Sequence, residues 1–149
     1  MDAVGSGRSP SHEFVPSERD GVQELPYRAL DLTKGEIRIL VVEPGLPPNP
    51  VFGSLHLVSL EGHNELKHTT PKYEAISYAY GDPQDRSRIT VDGVWMSVPA
   101  TAERALRGLR HNHDLERRFW IDATCINQSN WDERACQVAL MGDIYREAW

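Results

Sequence analysis

The stretch Arg118–Trp149 constrains this chain more than any other. It contains a short apolar run, Phe119–Ile121, then a polar turn, Asp122–Asn130, then a long helical pattern from Trp131 to Ala148. Trp131, Ala135, Val138, Met141 or Gly142, Tyr145 and Ala148 recur three and four apart, which places them on one stripe of a helix. The spacing predicts that this stripe faces the core, because no other segment offers as large an apolar face.

The turn carries the chemistry. Asp122, Thr124, Cys125, Asn127 and Gln128 place an acid, a hydroxyl, a thiol and two amides just after a buried strand. Ligands bind beyond that end of the strands in open α/β sheets. Asn130, with Glu133 three residues later, makes a capping-box pattern that opens the helix. These side chains thus have two readings, a polar site or the groups that satisfy a tight turn and a helix start. On the physics alone the structural reading takes precedence.

A chain of 149 residues is long enough for one domain with a real core. The net charge of −6 argues against nucleic acid or an anionic membrane as the main partner. No segment has the length of a membrane span, and the Gly/Ser-rich start has no secretory h-region. The expected location is therefore cytoplasmic. Cys125 and Cys136 read as free thiols, and the scattered histidines have no zinc spacing with them. His111 and His113 read as solvated residues of a charged linker. No metal site is expected, and there is no phosphate loop or nucleophile elbow.

Residues 1–24 are polar and read as a disordered tail. Glu36–Val42 predicts a strand, ended by the prolines of Glu43–Pro50. Val51–Leu60 predicts a second strand, hairpin-paired with the first, and residues 61–72 a loop. Tyr73–Tyr80 predicts a third strand. Arg88–Val91 and Val94–Val98 flank Asp92-Gly93, a strong hairpin signal. Pro99–Arg110 predicts a helix with Ala102, Ala105, Leu106 and Leu109 inside and Arg104, Arg107 and Arg110 outside. An arginine row of this kind reads first as a solvated face. The order of elements predicts an α/β fold, a mixed sheet with flanking helices. The last helix reaches Trp149 without a cap, which predicts a fold truncated at its C-terminus.

Several blocks together resemble the fungal heterokaryon-incompatibility (HET) domain. They are YEAISYAYGD (73–82), ITVDG (89–93), FWIDATCINQ (119–128) and the spaced Glu133, Arg134, Gln137, Val138, Met141 and Tyr145. Tyr80 stands where the family usually has tryptophan, Thr101-Ala102 where it has Asn-Leu, and Thr124 where isoleucine is common. The resemblance divides the chain into a tail (1–24), a lead-in (25–72) and an incomplete HET domain (73–149). It implies a TIR-like, flavodoxin-like sandwich and a role in fungal non-self recognition, with programmed cell death triggered through a protein partner or self-association. The motif residues it marks are Tyr78, Gly81, Asp82, Trp120, Asp122, Cys125, Asn127, Gln128, Arg134 and Gln137. The more distant TIR analogy offers Glu133 as a catalytic carboxylate, with NAD as a substrate and no bound cofactor. Cysteine catalysis through Cys125 is a weaker alternative. An inactive remnant, or a dominant-negative partner of longer relatives, is another.

Overall fold

The computed structural model of the protein describes residues 25–60, 72–110 and 115–149. The expected tail 1–24, nearly all of the loop 61–72, and His111 and His113 lie outside the described residues. The strands are β1 (Glu36–Val42), β2 (Phe52–Ser59), β3 (Glu74–Ala75), β4 (Arg86–Val91), β5 (Val94–Pro99) and β6 (Arg117–Trp120). The helices are α1 (Ala100–Leu109), α2 (Asp122–Cys125) and α3 (Trp131–Glu147).

The strands form one mixed sheet in the order β3-β6-β1-β2-β4-β5. This is the α/β architecture expected. β1 is an almost unbroken apolar run, and such runs are buried on both faces. Accordingly Ile37 to Val42 are all buried and β1 sits between β2 and β6. β1 and β2 pair antiparallel from Glu36↔Ser59 to Val42↔Gly53, the expected hairpin. Gly53 is needed there, since a Cβ would stand 2.7 Å from the Val41 carbonyl oxygen. β4 and β5 form the second hairpin across Asp92 (φ 50°) and Gly93 (φ 78°). Two consecutive positive φ values mark the turn whose twist suits a two-residue hairpin. β3 and β6 are parallel neighbours with α1 in their connection, and β2 and β4 are parallel neighbours as well.

Three expectations need correction. The third strand does not run from Tyr73 to Tyr80, because only Glu74 and Ala75 join the ladder. The Ile76 amide still bonds the Trp120 carbonyl at 2.8 Å, and Ser77 onward leaves the edge to line a surface cleft. On α1, Leu109 is exposed while Glu103 and Arg110 are buried. The Arg110 guanidinium reaches the carbonyls of Leu46, Asn49 and Pro50 and closes the proline loop. It is therefore not part of an outward arginine row. Arg104 and Arg107 do lie at the surface, paired with Asp85 and Glu103.

The largest correction concerns α3. Its buried residues are Glu133, Gln137 and Ile144. Of the stripe expected inside, Met141 and Ala148 pack partly buried against the core, but Trp131 is 78% exposed, Val138 54% and Tyr145 39%. The cause lies on β1. Arg38 is a cation in the middle of the central strand, and a buried cation requires a counter-charge and acceptors. α3 rotates its polar side inward to provide them. Gln137, on the same side of the helix, donates to the Glu36 carbonyl at 2.9 Å. Tyr73 closes the far end of the helix. Its hydroxyl donates to the Ile144 carbonyl at 2.6 Å, and its own carbonyl accepts from the Trp149 amide at 2.8 Å. The last turn thus gains partners for groups that a helix end leaves unsatisfied.

Candidate functional site

The residues singled out by sequence fall into an interior clamp and a surface cleft. The clamp starts where α3 starts. Asn130 caps the helix, its Oδ1 accepting from the Glu133 amide at 3.1 Å, as expected. The Glu133 side chain does not complete a capping box with Asn130. It turns inward and takes Arg38 on both oxygens, with the Asn127 amide donating to Oε1 at 3.0 Å. Arg38 also donates to the Cys125 carbonyl at 3.1 Å and the Arg28 carbonyl at 2.7 Å. Its guanidinium lies 4.6 Å from the ring centre of Tyr27, a cation–π contact. The Tyr27 hydroxyl donates to the Thr124 carbonyl at 2.8 Å, and burial raises its pKa. Two-point pairing of this kind is the strong form of a salt bridge.

This geometry gives Glu133 a different job from the catalytic one offered by analogy. The residue is only 4% exposed, both carboxylate oxygens are engaged, and it does not line the cleft. Cys125 is also interior. Burial pushes its thiol up to about 12, and Sγ faces the Phe119 carbonyl at 3.8 Å. A thiol held neutral in this way is a packing group and not a nucleophile near neutral pH. Trp120 is fully buried and packs edge-on against Tyr145 at 5.8 Å. Gln137 is fully buried as well, with Oε1 unpartnered. Asn127 Oδ1 accepts from the Ser129 amide at 3.2 Å, and Asp82 Oδ1 from the Gln84 amide at 2.9 Å, so both serve turns. Gly81 has φ 66°, and a Cβ there would meet Thr101 Cγ2 at 3.1 Å. Among the described residues no cluster of histidine, cysteine and carboxylate side chains is arranged to hold a metal.

The cleft gathers four marked residues, Tyr78, Asp122, Gln128 and Arg134, together with the unmarked Tyr80, Arg86, Pro99 and Val138. Its volume is about 160 Å³. Tyr78 and Tyr80 stack with ring centres 6.1 Å apart. Burial, then the neighbouring Asp122 carboxylate, raise the Tyr78 pKa and keep the phenol neutral. The Tyr78 hydroxyl and Asp122 Oδ1 are buried and make no hydrogen bond of normal geometry. Gln128 holds the turn by donating to the Asp122 carbonyl at 3.0 Å. A larger cavity, about 340 Å³, opens on the other face of β1 over Ile39, Val41 and Val58. Ser54 and His56 at its rim are 2.9 Å apart, neighbours on one strand face, and no third group orients the imidazole among the described residues.

Arg38 and Tyr27 are the functional residues that motif reasoning missed. The signal for Arg38 was present, since a lone cation inside an otherwise apolar strand demands a buried partner.

The family model for heterokaryon incompatibility proteins (HET) matches residues 73–149. The chain belongs to the HET family. A curated relative from Neurospora crassa, heterokaryon incompatibility protein 6, OR allele, is 38% identical over 90 residues. That alignment takes in 52% of this chain and 13% of the relative, so the chain spans a small part of the protein it matches. No solved structure matches it. The matched HET segment begins at Tyr73, yet the central strand of the sheet and the Arg38 half of the clamp precede it.

Proposed function

We propose that this protein acts in heterokaryon incompatibility, where it recognises non-self in the fungal cytoplasm and passes a death signal by protein–protein contact. The family match and the Neurospora relative support the incompatibility role. The observation that favours protein contact over catalysis is the outward face of α3. Trp131, Val138 and Tyr145 lie seven residues apart on one line of the helix, Trp131 and Val138 more than half exposed and Tyr145 with one ring edge against Trp120. Aligned large apolar groups on a surface mark interaction sites. The one carboxylate put forward as catalytic is held in the interior by Arg38. Among the described residues no helix is long and apolar enough to cross a membrane.

Expression of the full chain in a fungal host tests this reading. Death of the host is expected, and Trp131→Glu, outside the cleft, is expected to abolish it while the circular dichroism spectrum stays unchanged. Death that persists in a folded Trp131→Glu protein, or that follows NAD loss which a folded Glu133→Gln protein no longer causes, overturns it.

A further inference from the structure

The cleft beside the Asp122 turn holds charges that its own residues leave unmatched. Asp122 lines it, and among the described residues no cation pairs with that carboxylate. Oδ1 is shut in beside the Tyr78 phenol, so Oδ2 is the oxygen left for the cleft. Gln128 uses Nε2 on the Asp122 carbonyl and so presents Oε1 as a second acceptor. Arg86 and Arg134 line the same cleft, and among the described residues neither has a carboxylate partner. Ser97 holds the Arg86 guanidinium in place through Nε and Nη2, both at 3.0 Å, which leaves Nη1 for another acceptor.

We propose that this cleft binds a small amino acid with an acidic side chain. Its ammonium sits on Asp122 Oδ2 and Gln128 Oε1, and its two carboxylates on Arg86 and Arg134. The lining carries two cations and one anion, so a ligand with one cation and two anions matches it group by group. Guanidiniums suit carboxylates because the planar fork meets both oxygens. Pro99, Ile126 and Met141 supply an apolar wall for the carbon chain, and the exposed Tyr80 ring stands beside them.

Size and charge disfavour other ligands. A volume of about 160 Å³ suits an amino acid and is too small for a dinucleotide. Pockets for drug-sized ligands begin at roughly 300 Å³. A phosphate or a plain dicarboxylate brings no cation for Asp122 and sets like charge against it. A simple amine satisfies Asp122 but leaves both guanidiniums unmatched. The site stands apart from the protein contact proposed for α3, since Trp131 does not line the cleft.

Titration calorimetry on the full chain tests the proposal, with L-glutamate and L-aspartate as probes. Saturable binding of at least one is expected, with a Kd below about 1 mM. Glutarate, which lacks the ammonium, is expected to bind about tenfold more weakly or worse, the loss that a missing charge-assisted bond implies. Arg134→Gln changes an exposed side chain and is expected to weaken the amino acid by a similar factor. Asp122→Asn is expected to bring L-glutamate and glutarate close to parity, a change in selectivity that lost packing alone does not produce. A Kd above about 1 mM for both probes overturns the proposal. So does glutarate, inorganic phosphate or NAD binding as tightly as the better amino acid, or an affinity that Arg134→Gln leaves unchanged. Calorimetry does not depend on host death, so a failure here leaves the incompatibility reading standing, and the reverse holds as well.

Discussion

α1 and α3 lie against one sheet and place polar residues inside, yet for different reasons. α1 keeps Ala102 and Leu106 in the core, and its buried cation, Arg110, reaches past the end of the helix to backbone carbonyls of the proline loop. α3 buries a carboxylate and an amide, and its largest apolar residues face solvent. The first is an ordinary amphipathic helix with one long side chain used as a strap. The second is oriented by a charge on a distant strand. Apolar periodicity predicts facing only where the core holds no unmet electrostatic demand.

The largest effect that would break this comparison concerns the Arg38–Glu133 pair. Removing one partner leaves a buried charge alone, so Arg38→Met or Glu133→Leu should each destabilise the fold by about 3–5 kcal/mol. The double variant should recover most of that loss, which denaturant titrations arranged as a double-mutant cycle would show. A double variant as unstable as the sum of the singles would mean that the clamp does not orient α3.

Arg110→Ala sharpens the α1 half. Three charge-assisted bonds to neutral carbonyls are lost, at a cost of about 2 kcal/mol. Gly45–Pro50 should then become the first site of limited proteolysis, whereas loss of the α3 clamp should expose the chain around Asn127–Asn130. Equal cleavage at both places in both variants would erase the distinction.

The smallest effect is the most diagnostic for α3. Trp131→Ser and Val138→Ser should each change stability by no more than about 0.5 kcal/mol, as expected of surface positions. A loss above 2 kcal/mol at either would restore the inward stripe.

Much of this fold was legible in the sequence, and the reasons are local. β1 follows from its apolar run, the β4–β5 turn from Asp92-Gly93, and the start of α3 from Asn130. The strand expected over Tyr73–Tyr80 shrank to Glu74–Ala75 because pairing depends on a neighbour, and β6 offers only its short length. The cleft was half visible. Asp122 and Gln128 come from the motif, but Arg86 and Tyr80 enter it only through the way the edge of the sheet turns. The role of Glu133 was hidden because its partner lies 95 residues earlier, a separation no motif spans.

Arg38 and Glu133 also bear on inheritance. Recombination that exchanged only the segment beginning at Tyr73 would set the donor's Glu133 against whatever residue the recipient carries at position 38 of its own central strand. The heritable unit that keeps this fold intact therefore reaches back to about residue 25. A hybrid joined between residues 60 and 73 should fold only when the parent supplying the first part carries arginine at position 38 and the other carries glutamate at position 133.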